Sequence, residues 1–218
     1  MLYNSTQNAK EVVSAAQAIA QGISKDGGLF VPQEFPKYDE NTFKALLKTD
    51  YKGRAKKVFS DFLSDFTEEE ISDCVEKAYT AQKFGGENPA PISYCNLDGT
   101  TLNILELWHG PTCAFKDMAL QILPHLLTKS LKKKYDGKTV KYLAQVCQTP
   151  QAGKGAFVPG RFAMTCCVQD IQFVGMPCKY DDYKSLEQRS WINITAKVNV
   201  KYHPIYKGQT PDSTGPVL

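Results

Sequence analysis

Residues 109–117 constrain this chain most, because they place a lysine at the junction between a strand and a helix. The residues before them, 101–108, are typical of a half-buried strand. The apolar residues that follow recur at helical spacing and predict one amphipathic helix. These residues are Phe115, Ala119, Ile122 and Leu126. Lys116 therefore falls in the first turn of that helix, beyond the carboxyl end of the strand, where open α/β sheets bind ligands.

Lys116 is in an unusual position, because the positive end of the helix dipole disfavours an ammonium group. An amine that loses its proton more easily is a better nucleophile. A Schiff base with a carbonyl compound or with pyridoxal phosphate requires such an amine. The alternative is an ordinary solvated charge, since lysine is seldom buried. The sharp turn of Gly110, Pro111 and Asp117 favours a catalytic lysine.

Three segments, in order along the chain, resemble the threonine synthase family: residues 3–6, 18–32 and 105–121. The resemblance implies an α/β chain that holds the N-terminal part of a type II pyridoxal-phosphate-dependent enzyme fold, which is incomplete. In that family the lysine matching Lys116 carries the cofactor, pyridoxal 5'-phosphate, as an internal aldimine. The family's reaction converts O-phosphohomoserine and water to threonine and phosphate.

The resemblance gives Lys116 the catalytic role of moving protons at the substrate carbons, while the cofactor ring accepts electrons. Phe115 and Asp117, on either side of it, are expected to contact the cofactor together with Lys116. Four further residues are expected to contact the substrate: Ser5, Thr6, His109 and Thr112. The first two hydroxyls have an alternative role as the N-cap of a helix that begins near Asn8.

The chain departs from the family at two places. Gln7 stands where the family usually has an arginine, and an amide lacks the charged planar fork that suits anionic groups. The match stops near residue 143, and the Ser-Gly-Asp-Thr-Gly loop that the family has next is not in this sequence. Threonine synthases are also substantially longer, so we expect a truncated chain.

We expect three regions: residues 1–92 as the family's N-terminal domain, 93–143 as the start of the cofactor-binding α/β domain, and 144–218 as a divergent tail. Prolines interrupt the tail, and its apolar residues keep neither strand nor helix period for long. Its alternating stretch 191–200 predicts one strand without an obvious partner. We interpret the tail as the product of a reading-frame error or abnormal coding sequence, and disorder is one expectation for it.

The first hundred residues carry local signals for helices and one hairpin. Helices are predicted over residues 8–20, 42–47 with Asn41 as cap, and 56–63. Thr67 and Glu70 form a capping box that predicts a helix reaching Tyr79. Asp98-Gly99 predicts a tight hairpin turn between two strands.

Composition indicates a cytoplasmic protein. The formal charge of +3 is too small to indicate nucleic acid as a partner, and the start is too polar for a signal peptide. No apolar run approaches the length of a membrane span. The seven cysteines lack the paired spacing of a zinc site, so no metal is expected. The expected partner is the small substrate O-phosphohomoserine, and the oligomeric state stays open.

The sequence leaves three functions open. The first is a threonine synthase whose chain is incomplete and inactive or retains activity. The second is a non-catalytic remnant, which would expose apolar surface and act at most as an interaction module. The third is a threonine synthase-like phospho-lyase, which uses the same lysine but releases a keto acid.

Overall fold

The chain forms two compact units, Met1–Lys134 and Tyr135–Leu218. The structure is a computed structural model that describes residues 1–163 and 171–199. Each unit has a hydrophobic cluster of its own among these residues. The region boundaries that the sequence predicts near residues 92 and 143 stay predictions.

The first unit opens with a three-stranded antiparallel sheet and a short helix. Helix α1 begins after Ser14, whose side chain forms a capping box with Gln17. The predicted helix start near Asn8 is wrong, because the β-branched residues Val12 and Val13 pair with the first strand instead. The sheet order is β2-β1-β3. The elements are β1 (Leu2–Ser5), β2 (Val12–Ser14), α1 (Ala15–Gln21) and β3 (Phe30–Pro32).

Four helices follow, and the last two of them contribute five of the twelve buried residues of the first unit's core. Thr67 and Glu70 form the predicted capping box, which is confirmed. The cap of the first of these helices is Asp39, not Asn41, because the helix begins at Glu40. Their bounds are α2 (Glu40–Leu47), α3 (Tyr51–Phe62), α4 (Glu68–Ala78) and α5 (Ala81–Phe84). The buried core residues of these helices include Ile71, Cys74, Val75, Ala78 and Phe84.

The predicted hairpin is confirmed as β4 (Ile92–Leu97) and β5 (Thr100–Leu105). Its turn residues Asp98 and Gly99 both have positive φ, as a two-residue Asp-Gly turn requires. The prediction that the second strand is half buried is wrong, since every residue of β5 is exposed. The reason is topological, because β4 and β5 form a sheet of only two strands. The apolar side chains of β5 stay exposed to solvent on this small sheet.

Two helices, α6 (Asp117–Leu120) and α7 (Leu123–Tyr135), replace the single helix predicted after Lys116. Pro124 lies in the first turn of α7, where its missing N–H costs no helical hydrogen bond. The predicted apolar face is therefore split. Ile122 and Leu126 are buried in the core, whereas Phe115 and Ala119 are exposed.

The second unit is an antiparallel sheet of order β10-β6-β7-β8, in which β9 also pairs with β7. In β6, residues 140, 142, 144 and 146 are more buried than the residues between them, which is the period of two typical of strands. The predicted tail begins inside β6, at residue 144, and the next strand of the tail, residues 156–163, does not continue this alternation. The strands are β6 (Thr139–Cys147), β7 (Ala156–Ala163), β8 (Gln172–Gly175), β9 (Cys178–Lys179) and β10 (Trp191–Lys197).

The alternating stretch in the tail does form a strand, β10, and the expectation that it lacks a partner is wrong. It pairs with β6 along its whole length, and Ile194 lies opposite Tyr142. Ala144, Val146, Phe157 and Ile194 form the buried centre of this unit. The other parts of the predicted tail, residues 164–170 and 200–218, lie outside the described residues.

Candidate functional site

The backbone around Lys116 is a sequence of tight turns. The amide of Cys113 donates to the carbonyl of Gly110 at 3.0 Å, and that of Asp117 donates to the carbonyl of Ala114 at 3.0 Å. Cys113 has a positive φ of 55°, a conformation that costs a residue with a side chain more than it costs glycine. Lys116 then caps α6, and its carbonyl accepts from the amides of residues 119 and 120. The lysine backbone is thus held on both sides.

Asp117 is the centre of this turn. Its side chain is fully buried, at 0% exposure. Its Oδ2 accepts hydrogen bonds from the Thr112 amide at 2.8 Å and from the Thr112 hydroxyl at 3.0 Å. Burial opposes ionisation, but these hydrogen bonds outweigh it and hold the pKa of Asp117 below its usual value. The other oxygen, Oδ1, has no hydrogen-bond partner in the described part of the chain.

Gly110 is packed directly against this carboxylate. A Cβ at Gly110 would stand 2.3 Å from the Cβ of Asp117 and 2.5 Å from its Oδ2. The nearest of these atoms is bonded to the backbone, so it cannot swing away as the end of a flexible side chain does. Only glycine fits here, for reasons of space.

The other side of the lysine segment is anchored to the helical core. The hydroxyl of Tyr79 donates to the carbonyl of Met118 at 2.7 Å. Tyr79 is itself buried, and burial raises the pKa of its phenol, which keeps it a neutral donor. Ile122 and Leu126 continue the anchor in the same core cluster. Tyr79 was not among the predicted site residues, because its only signal in the sequence is a position at the end of a predicted helix.

Lys116 itself is exposed, and so is the neighbouring Phe115. Eight ion pairs are present among the described residues, and none of them involves Lys116. The amine is therefore presented on a fixed backbone without a carboxylate to hold it. Phe115 offers an exposed ring next to it, at 66% exposure.

His109 lies at the start of the same turn but already has a partner. Its Nε2 is 2.6 Å from Oε2 of Glu106, and its ring stacks on Trp108 with centroids 5.7 Å apart. Hydrogen bonds from His109 and from Ser93 hold the pKa of Glu106 below its usual value. His109 therefore belongs to a small polar cluster at the end of the hairpin.

Ser5 and Thr6 take part in a different turn, and neither caps a helix. The Ser5 hydroxyl donates to Oδ1 of Asp26 at 2.8 Å. The Thr6 hydroxyl accepts from the amide of Leu29 at 3.0 Å. Hydrogen bonds from the Gly28 amide and from Ser5 keep the pKa of Asp26 below its usual value. The alternative role as an N-cap is wrong, and both hydroxyls fix the loop that leads into β3.

The predicted site residues fall into two groups. The hydrogen bonds described for Ser5 and Thr6 go to residues 7–30, whereas those of His109, Thr112 and Asp117 go to residues 106–121. The structure brings Thr112, Phe115, Lys116 and Asp117 together in one turn. The substrate contacts predicted for Ser5 and Thr6 stay predictions.

Two further features are relevant to ligand binding. A cavity of about 1100 Å³ lies in the second unit, where Tyr142, Phe157 and Ile194 are among its lining residues. The residues that line this cavity all belong to the second unit, whereas the lysine turn belongs to the first. The described residues contain no group of three side chains suited to a metal ion, and none of their helices is both long and apolar enough to cross a membrane.

Two family models match the chain, one in each half. The model described as threonine synthase N terminus matches residues 2–79. The model described as DUF1980 C-terminal domain matches residues 120–213. The second half is therefore similar to a domain of a different family. The hypothesis of a reading-frame error stays a prediction.

Relatives and solved structures agree with the first match. Threonine synthase of Escherichia coli is 37% identical over 127 residues, which are 58% of this chain and 27% of that protein. Threonine synthase-like 2 of Mus musculus is 33% identical over 142 residues, 64% of this chain and 28% of that protein. The crystal structure of threonine synthase from Brucella melitensis bound to PLP aligns with a TM-score of 0.56 and 30% identity, over 62% of this chain and 28% of that chain.

The threonine synthase from yeast gives the same result, with a TM-score of 0.56 and 31% identity over 61% of this chain. This chain thus spans less than a third of the length of the relatives it matches. The predicted α/β class and its partial match to a pyridoxal-phosphate-dependent fold are confirmed. The first part of this chain is therefore similar to the N-terminal region of the threonine synthase family.

Proposed function

We propose that Lys116 is the residue to which pyridoxal 5'-phosphate attaches, and that the first unit is the lysine-bearing part of a lyase acting on O-phosphohomoserine. The observation that carries this proposal is an exposed amine on a backbone anchored at Thr112 and Tyr79. The similarity to a PLP-bound threonine synthase supports it. When bound, the cofactor supplies an electron sink for reactions at the substrate carbon next to the amine.

The chemistry asked of Lys116 is simple. Lys116 would hold the cofactor through its Nζ, because a primary amine can condense with an aldehyde and release water. With a substrate bound in its place, the Lys116 amine would accept a proton at one substrate carbon and return a proton at another. Both roles need a lysine amine that is not paired with a carboxylate. None of the ion pairs among the described residues includes Lys116.

The residues present fit the covalent attachment better than they fit the rest of the cofactor. Phe115 exposes a ring beside the lysine, which suits an aromatic ligand. The carboxylate of Asp117 is buried and bonded to Thr112, so its predicted cofactor contact would be indirect. The sequence has no Ser-Gly-Asp-Thr-Gly loop, so the proposal includes no residue that binds the cofactor phosphate. Weak binding is the expected consequence.

A second candidate is a non-catalytic interaction module. The exposed apolar residues of the hairpin favour it, because apolar groups on an isolated two-stranded sheet are typically covered. These residues are Ile92, Tyr94, Leu97, Leu102, Ile104 and Leu105. A threonine synthase-like phospho-lyase is a third candidate, supported by the relative from Mus musculus. It would use the same lysine.

The Lys116→Ala variant tests the proposal. The full chain mixed with pyridoxal 5'-phosphate is expected to give an absorbance band that the free cofactor lacks and that disappears in this variant. The matched control is Lys10→Ala, which removes another exposed lysine of the first unit and should leave the band unchanged. A band of equal size in all three proteins would show that the cofactor reacts with lysines at random, and the proposal would fail.

A further inference from the structure

The lysine that the proposed function needs is adjacent in sequence to the most buried carboxylate of the first unit. Lys116 is exposed and Asp117 is fully buried, so the two side chains leave the backbone in different directions. A charged group is seldom buried in this way unless hydrogen bonds compensate it. Asp117 receives two from Thr112, five residues earlier.

These two hydrogen bonds close the turn that precedes the lysine. The segment between Thr112 and Asp117 contains Cys113 in the left-handed region, a conformation that an open chain would leave. Gly110 lies against the same carboxylate, and a methyl group at this position would overlap with it. Thus Gly110 and Thr112 are each fitted to the position of one buried side chain.

We infer that Asp117 is a positioning residue, whose carboxylate fixes the turn and thereby the backbone from which Lys116 reaches the cofactor. The inference rests on the proposed function of Lys116. Its geometric basis is independent of that function, because the contacts to Thr112 and Gly110 exist within the chain itself. Asp117 acts through Lys116 and not by touching the ligand.

Competition between two lysines of the same molecule tests the inference. The full chain is incubated with pyridoxal 5'-phosphate and reduced with borohydride, and peptide mapping gives the ratio of label on Lys116 to label on Lys10. The Thr112→Val variant loses the hydroxyl bond to Asp117, and the ratio is expected to fall about tenfold, since a hydrogen bond to a charged group contributes roughly that factor. Thr112→Ser keeps the hydroxyl and should restore the ratio.

Two further variants separate positioning from general stability. Thr128→Val removes the hydroxyl bond to the carbonyl of Pro124 in α7, so it matches the chemistry of the first substitution away from the turn. It should leave the ratio unchanged. Asp117→Asn keeps the side-chain volume and weakens the hydrogen bonds to Thr112, so the ratio of label on Lys116 to label on Lys10 should fall. This variant tests the inference independently if Thr112→Val does not fold. Thermal unfolding of each variant reports stability separately.

The outcomes are distinct. A lower ratio in Thr112→Val and Asp117→Asn, with normal ratios in Thr112→Ser and Thr128→Val, supports the inference. An unchanged ratio in folded Asp117→Asn would overturn it and leave the proposed role of Lys116 intact. Equal labelling of Lys116 and Lys10 in the unmodified chain would overturn the proposed function, and the positioning role with it.

Discussion

Replacing Gly110 by alanine is expected to open the turn before Lys116 and to abolish its preference for pyridoxal 5'-phosphate. The new methyl group would stand 2.3 Å from the Cβ of Asp117, so the carboxylate or the backbone must move. Overpacking of this kind costs about 1–3 kcal/mol. The bonds between Asp117 and Thr112 are lost when the carboxylate moves. Borohydride trapping and thermal unfolding measure the two effects.

Gly86→Ala is the matched control for Gly110→Ala. A Cβ at Gly86 meets no atom within 4 Å, and its φ is not positive. This variant should unfold at the normal temperature and label Lys116 as the unmodified chain does. If Gly110→Ala behaves in the same way, the turn tolerates a side chain at Gly110 and the packing argument for Asp117 is wrong.

Phe84→Ala is expected to cost the first unit about 3–5 kcal/mol, the range for an aromatic residue removed from a core. Phe84 is 1% exposed, and its ring lies 5.9 Å from that of Tyr79. The loss would therefore reach the residue that anchors Met118 beside the lysine turn. Urea unfolding followed by circular dichroism gives the free energy of unfolding.

Phe43→Ala provides the comparison on the surface. Phe43 is 57% exposed, and its one described ring contact is a T-shaped pair with Tyr38, with centroids 6.1 Å apart. Its removal should cost about 1 kcal/mol or less. Similar losses for Phe84→Ala and Phe43→Ala would mean that the core does not lie around Tyr79 as described.

Local signals in the sequence were reliable where one residue type decides a conformation. The capping box of Thr67 and Glu70 and the Asp98-Gly99 turn are both found. The position of Lys116 between a strand and a helix is also found, although the helix is split at Gln121 and Ile122. These signals depend on neighbours in sequence, so no knowledge of the tertiary structure was needed.

Features that depend on distant residues were missed. The bond between Tyr79 and Met118 joins residues 39 positions apart. The pairing of β10 with β6 places Ile194 opposite Tyr142, and the sequence of neither strand identifies the strand with which it pairs. Tertiary contacts decide both. The burial of Asp117 was not predicted either, although its partners Gly110 and Thr112 lie within seven residues of it.

Mapping the site of cofactor attachment tests the central claim most directly. The full chain is reduced with borohydride after incubation with pyridoxal 5'-phosphate, digested and analysed by mass spectrometry. We predict that the peptide containing Lys116 carries most of the label at low cofactor concentration, and that none of the other exposed lysines competes with it. Label distributed over the surface lysines, with no excess on Lys116, would contradict the account.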